Sequence, residues 1–95
     1  LVLILALNCY QHCLESRSFT DADYFEGYLE KLIGNGIKLY ERNIFHYLKG
    51  FALYQRDLKE EGCSQMQEAM HIFDVLGLPE QVAYYQEHYE KFVNP

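Results

Sequence analysis

The chain has little of what a β-rich, a nucleic-acid-binding or a membrane-spanning protein needs. Its 95 residues include only two prolines and six glycines, which leaves few residues for the turns of a β architecture. A formal net charge of −6 provides no basic surface for the phosphates of DNA. The three cysteines, Cys9, Cys13 and Cys63, are an odd number without a disulfide-like spacing, which favours a reducing, cytoplasmic environment.

Long hydrophobic runs are also missing. The longest one, LVLILAL at residues 1–7, is shorter than the roughly 20 apolar residues that a membrane helix needs. Asn8 and Gln11 follow it closely, and no basic segment precedes it as in a signal peptide. We therefore expect a buried helix and no membrane association. Because the chain begins at Leu1 and not at methionine, we also expect it to be a fragment of a longer protein.

Aromatic residues, in contrast, make up 16% of the chain, and apolar side chains recur at helical spacing along its whole length. We predict an all-α fold of about five helices and no strand. The second helix ends in this prediction at the Gly34–Gly36 turn, where glycine adopts left-handed angles without a Cβ penalty. The other predicted helices cover about 2–16, 38–56, 59–76 and 79–93.

Several residue types mark the predicted helix ends. Thr20 with Asp23 three residues later has the pattern of a capping box at the start of the second helix. Asp57 marks a turn because aspartate tolerates left-handed geometry. Gly77 suits a helix C-terminus, and Pro79 opens the next helix at a position where the missing N–H costs nothing.

Gly50 lies in the middle of the predicted third helix, where glycine costs up to about 1 kcal/mol relative to alanine. We infer that another helix passes it too closely for a methyl group. Small and large residues then follow at the spacings of a tetratricopeptide repeat, in which small residues lie where paired helices cross. The residues at these spacings are Leu53, Asp57, Gly62, Met66 and Ala69.

This pattern predicts a tetratricopeptide-like, right-handed stack of antiparallel helix pairs in a single domain, residues 1–95. Residues 1–34 form a degenerate pair in this prediction, residues 37–77 the tetratricopeptide-like pair, and residues 79–95 a terminal capping helix. An open-ended helical stack needs a polar outer face or a partner at its end.

The last helix is too aromatic to be only a polar cap. Single exposed tyrosines are common on protein surfaces, but two aromatic sides on one end helix also suit a homodimer contact. The candidate dimer residues are Tyr84, Tyr85, His88, Tyr89 and Phe92.

No constellation of catalytic residues stands out, so we expect no enzyme activity and no cofactor. Cys9, His12 and Cys13 share one face of the first helix, but zinc needs a fourth ligand, and buried cysteines are common in protein cores. We therefore predict no metal site. The sequence also has no glycine-rich phosphate-binding loop.

The segment from "YLKGFALY" through "MQEAMHIFDVLGLPEQVAYYQEHYEKF" resembles the C-terminal end of Rgg/GadR/MutR-family transcriptional regulators. Those proteins finish with an "A-x-IF-x-x-LG" helix and a "YY-x-x-HY" helix. The residues that carry the resemblance are Ala69, Ile72, Phe73, Leu76, Gly77, Tyr84, Tyr85, His88 and Tyr89.

The resemblance implies a cytoplasmic homodimer whose repeat domain binds a short signalling peptide. DNA would be bound by an N-terminal helix-turn-helix that is missing from these residues. The alternative is a helical-repeat adaptor that binds another protein and has no role in transcription. Upstream residues would distinguish the two.

In stacked helix pairs, the first helix of each pair lines the concave face that binds extended ligands. Asparagine and glutamine amides there could pair with a peptide backbone, and aromatic rings could supply apolar contacts. The aromatic residues among them are also compatible with an ordinary core role. The candidate peptide-binding residues are Asn8, Gln11, Asn43, Ile44, Tyr47, Phe51, Tyr54 and Gln55.

Overall fold

A computed structural model describes residues 2–33 and 39–93, and these ranges contain helices and turns but no strand. The all-α prediction is therefore confirmed. The five helices begin and end within two residues of the predicted positions wherever both are defined. The predicted turn at Gly34–Gly36 lies outside the described residues. The helices are α1 (Val2–Glu15), α2 (Phe19–Ile33), α3 (Leu39–Gln55), α4 (Lys59–Val75) and α5 (Pro79–Phe92).

The same tight turn joins α1 to α2, α3 to α4, and α4 to α5. In each turn one residue has a positive φ angle: Arg17 at 60°, Asp57 at 69° and Gly77 at 74°. Such angles end a helix in the left-handed C-terminal motif, which glycine adopts most readily and aspartate tolerates. The left-handed geometry predicted for Asp57 and the helix end predicted at Gly77 are confirmed.

The backbone hydrogen bonds of these turns follow one pattern. After α3, Leu58 N–H donates to Leu53 C=O at 3.0 Å and Asp57 N–H to Tyr54 C=O at 3.3 Å, which satisfies carbonyls at the end of the helix. The residue after the left-handed position is then the N-cap of the next helix. After α1 this residue is Ser18, whose carbonyl accepts from Ala22 N–H at 2.9 Å.

The predicted N-cap at Thr20 is therefore wrong, because α2 already begins at Phe19. The capping-box pattern favoured the later start, but the chain leaves the left-handed turn directly into the helix. Ser18 consequently takes the N-cap position, and Thr20 lies in the first turn.

The chain divides into two compact units, and the division falls within α3, between Phe45 and His46. In the first unit α1 packs against α2. The Tyr10 hydroxyl donates to Glu26 Oε1 at 2.6 Å, and the Tyr10 ring lies 5.8 Å from the Phe45 ring, centroid to centroid. The buried side chains that α1 and α2 contribute to this unit are Ala6, Leu7, Tyr10, Leu14, Ala22 and Leu29.

Helix α1 is buried on one side only, although its sequence predicts burial on most sides. Ile4 and Leu5 are 41% and 64% exposed, and Asn8 is exposed as well. These three residues lie on the side of the helix opposite Ala6 and Tyr10. A helix that is apolar on all sides has more apolar surface than a neighbour on one side can cover. The remaining apolar side chains therefore stay accessible.

In the second unit α3 and α4 cross where Gly50 faces Gly62. A Cβ atom built on Gly50 would lie 3.0 Å from the Gly62 carbonyl oxygen, and one built on Gly62 would lie 2.5 Å from both the Gly50 carbonyl oxygen and the Tyr54 nitrogen. The close helix approach predicted at Gly50 is therefore confirmed. This crossing, together with the repeated turns, is compatible with tetratricopeptide-like stacking.

Candidate functional site

The predicted peptide-binding residues on the C-terminal half of α3 differ in accessibility. Tyr47 and Phe51 are 0% and 1% exposed, whereas Tyr54 and Gln55 are partly exposed. The first two belong to the core of the second unit, so only Tyr54 and Gln55 can contact a ligand at the surface of this unit as it is folded here.

Tyr47 is held by a polar contact inside an aromatic cluster. Its hydroxyl lies 2.9 Å from His88 Nδ1 and donates at 3.3 Å to the Tyr85 carbonyl oxygen. The His88 ring packs edge-on against Phe51, with centroids 4.8 Å apart, and lies 4.7 Å from the Phe92 ring. A buried tyrosine needs such a partner for its hydroxyl. The cluster therefore attaches α5 to α3.

The predicted peptide-binding residues of the first unit also divide into buried and accessible side chains. Asn43 is 2% and Ile44 is 8% exposed, so both side chains are buried. Asn8 is exposed and Gln11 partly exposed. Gln11 Nε2 donates to Glu15 Oε2 at 2.9 Å, one turn further along α1. Among the candidate residues of this unit, the accessible amides are thus those of α1.

The candidate dimer residues lie on two sides of α5. Tyr85 and His88 are buried at 5% and 7% exposure, and the Tyr85 ring stacks on Phe73 at 5.3 Å with an interplanar angle of 5°. Tyr84 is 53% exposed, and Tyr89 and Phe92 are partly exposed. Of the predicted set, Tyr84 has the largest accessible surface for a contact with another molecule.

A polar cluster links α4 to α5 beside this helix. Gln67 Nε2 donates to the Tyr89 hydroxyl at 3.1 Å. Burial raises the pKa of Tyr89, and a hydrogen bond with Cys63 raises it further. The Tyr89 hydroxyl therefore takes part in the packing of α5 as a hydrogen-bonding group.

Tyr54 connects α3 to the end of α5. Its hydroxyl donates to the Val93 carbonyl oxygen at 3.1 Å. Val93 is the C-terminal cap of α5, so the bond satisfies a carbonyl at the end of the helix. The Lys59 ammonium lies 5.6 Å from the centroid of the Tyr54 ring. The accessible part of Tyr54 therefore combines an aromatic surface with a nearby positive charge.

The cysteines of α1 remain free thiols and are partly exposed. Burial raises the pKa of Cys13, and the nearby Asp21 carboxylate and Cys9 thiol raise it further. Within residues 2–33 and 39–93, no group of three or more histidine, cysteine and acidic side chains lies close enough together to hold a metal ion. In the same ranges, no helix is long and apolar enough to cross a membrane.

Two exposed apolar residues at the end of α4 were not among the predicted site residues. Val75 is 71% and Leu76 is 39% exposed. One feature of the sequence indicated that Val75 is exposed. It lies outside the apolar stripe that Met66, Met70 and Phe73 form on α4. Leu76 is one of the residues that carry the family resemblance, but no contact role was predicted for it.

A comparison with protein families identifies the chain. The family model described as "HTH-type transcriptional regulator Rgg, C-terminal domain" matches residues 1–87. The chain belongs to the Rgg C-terminal domain family. The resemblance predicted from the sequence is thereby confirmed, although the matched range ends just before His88 and Tyr89. No curated protein sequence matches the chain.

Membership of the Rgg family assigns the chain a regulatory role in transcription. The family is a class of regulator and not a class of enzyme. Within the Rgg domain, the partly exposed or exposed side chains of α1, α3 and α5 are the accessible members of the predicted sites. They are Asn8, Gln11, Tyr54, Gln55, Tyr84, Tyr89 and Phe92.

Proposed function

We propose that this Rgg C-terminal domain senses a short signalling peptide and dimerises, and so regulates a helix-turn-helix DNA-binding domain outside these residues. The observation that carries the proposal is the family match over residues 1–87. The net charge of −6 agrees with it, since contact with DNA phosphates requires basic side chains and would be left to another part of the regulator. The domain acts in the cytoplasm in this proposal.

The peptide contacts of the second unit are assigned to Tyr54 and Gln55. The side-chain oxygen of Gln55 is buried, so Gln55 is assigned a donor role only, from its amide nitrogen to a peptide carbonyl. The Tyr54 ring supplies apolar surface, and Lys59 places a cation beside it for a carboxylate of the peptide. The buried members of the predicted set, Tyr47 and Phe51, hold α3 in place and do not touch the ligand.

The candidate contacts of the first unit are the amides of Asn8 and Gln11 on α1. Each has an amide oxygen that can accept from a peptide N–H and an amide nitrogen that can donate to a peptide carbonyl. Their role is separable by experiment from that of the second unit, because the two sets can be changed independently.

Calorimetric titration of the chain with a panel of short apolar peptides tests the sensing role. For a peptide that binds, we expect Tyr54→Ala or Gln55→Ala to weaken binding by roughly tenfold, as the loss of one good contact does. Asn8→Ala measures the contribution of α1. Tyr24→Ala is the matched control, because Tyr24 is a tyrosine on α2 that is 70% exposed, belongs to neither predicted site and should leave peptide affinity unchanged. If no peptide binds, or if none of the three variants alters binding, the assignment is wrong.

Dimerisation is assigned to the exposed side of α5 around Tyr84. Aromatic residues are enriched at protein interfaces, where their rings bury a large apolar area. We expect the chain to associate in sedimentation experiments and Tyr84→Ala to weaken that association. The control is Tyr85→Phe, which keeps the buried ring against Phe73. Identical association of the chain and of Tyr84→Ala would contradict this role of α5.

A further inference from the structure

Two of the three cysteines lie on the same side of helix α1. Cys9 and Cys13 are four residues apart, and residues at this spacing are neighbours on a helix surface. Both are free thiols and are partly exposed. The Cys9 thiol contributes to the raised pKa of Cys13, so the two side chains are close enough to interact. The third cysteine, Cys63, lies on α4 in the other unit.

This spacing does not suit a disulfide. Side chains four residues apart on a helix have Cβ atoms about 5–6 Å apart, whereas the Cβ atoms of a disulfide lie about 3.8 Å apart. Two thiolates that bind one metal ion from opposite sides need more room. With metal–sulfur bonds of about 2.3 Å, their sulfur atoms are about 4.6 Å apart. The sulfur atoms of Cys9 and Cys13 can reach that separation by rotation about χ1, without unwinding α1.

The number of ligands decides which metal ion the pair can hold. The prediction of no metal site concerned zinc, which takes at least three protein ligands. Within residues 2–33 and 39–93, no three histidine, cysteine or acidic side chains lie close enough together for such a site. Thiolates are soft ligands and favour copper(I) among the transition-metal ions. Copper(I) has a filled d shell and accepts linear coordination by two thiolates, so it needs no third side chain.

We propose that Cys9 and Cys13 form a two-coordinate site for copper(I) on α1. Each thiol loses its proton to water as a sulfur–copper bond forms, and the copper remains copper(I). Two thiolates and one copper(I) ion leave a net negative charge on the site. The carboxylate of Asp21 near Cys13 opposes this charge only weakly, because Asp21 is exposed. The bound ion connects successive turns of α1 just before the turn at Arg17 and so stabilises the end of this helix.

Competition for copper(I) tests the site, with the Cys63→Ser chain as the parent so that only the two thiols of α1 remain. Copper(I) is supplied without oxygen as its coloured complex with the chelator bicinchoninate, and the loss of colour measures transfer to the protein. We expect the parent chain to withdraw one copper ion per chain. Cys9→Ser or Cys13→Ser in the parent should leave the copper on the chelator, because a single thiolate supplies only half of the bonds that hold the ion.

A variant that keeps two thiols on α1 but moves one of them tests the spacing. Asn8→Cys together with Cys9→Ser in the parent places the thiols at positions 8 and 13, which point about 140° apart around the helix. Asn8 is exposed, so the variant should fold, and helical circular dichroism checks this. We expect it to withdraw no copper. Uptake equal to that of the parent chain would overturn the proposal, as would no uptake by the parent or uptake that survives Cys9→Ser or Cys13→Ser.

Discussion

Replacing Gly62 by alanine tests the packing of the second unit most directly. The new methyl group would lie 2.5 Å from the Gly50 carbonyl oxygen, 2.5 Å from the Tyr54 nitrogen and 2.9 Å from the Tyr54 Cα. All three atoms belong to the backbone of α3, so no side chain can rotate out of the way. A carbon and an oxygen normally approach to about 3.3–3.6 Å. The two helices must therefore separate by roughly 1 Å.

The expected cost follows from two opposing terms. Forcing an extra methyl group into a packed core costs about 1–3 kcal/mol. Alanine in place of glycine returns up to about 1 kcal/mol through its higher helix propensity. Because the contacts are at 2.5 Å and with backbone atoms, the steric cost should lie in the upper part of its range, at about 2–3 kcal/mol. We therefore expect a net loss of about 1–2 kcal/mol in the free energy of unfolding, which lowers the melting temperature of a chain of this size by roughly 4–16 °C. Thermal and urea unfolding followed by circular dichroism measure it.

Two further glycines serve as graded controls. At Gly50 the new Cβ would meet its nearest atoms at 3.0 Å, and one of them is the flexible Met66 Cγ, so Gly50→Ala should cost less than Gly62→Ala. Gly27→Ala meets nothing within 4 Å and should stabilise the dilute chain by up to about 1 kcal/mol. The reasoning is refuted if Gly62→Ala and Gly27→Ala shift the melting temperature in the same direction by similar amounts.

The remaining predictions concern the turns, the aromatic cluster and a thiol. Because Asp57 has a φ of 69°, Asp57→Gly should raise the free energy of unfolding in urea by about 1 kcal/mol, and Gly77→Ala, at 74°, should lower it by about 1–2 kcal/mol. Equal effects would contradict the left-handed turns. Tyr47→Phe removes the hydroxyl that contacts His88 and should cost about 1–3 kcal/mol in the same assay. A neutral result would show that the contact is dispensable. Since the pKa of Cys13 is raised, less of it is thiolate near pH 8, and iodoacetamide should alkylate it more slowly than a model cysteine peptide, as mass spectrometry can measure. Equal rates would argue against the shift.

Local sequence determined most of the secondary structure. Proline, glycine and aspartate near helix ends act through the backbone angles of one or two residues, so their effect needs no distant contact. The turns at Asp57 and Gly77 were predictable for this reason. The turn at Arg17 was not, because arginine has no local preference for a positive φ, and the chain adopts it there only in the folded hairpin of α1 and α2.

The glycine at a helix crossing was also predictable from sequence, because a costly residue in a helix interior implies a close neighbour. Gly50 fulfils that expectation. The same argument applied to Gly27 finds no neighbour within the described chain. A glycine inside a helix therefore does not by itself establish that another helix crosses there.

The sequence by itself determined that the chain is helical, where most of its helices end and which family it resembles. Only the tertiary structure decided which candidate residues are accessible. Tyr84 and Tyr85 are chemically equal neighbours on α5, yet one is exposed and the other stacks on Phe73. Adjacent helical residues point in directions about 100° apart. Which of them faces the core therefore depends on the helices packed against α5, and that information is spread over the whole fold.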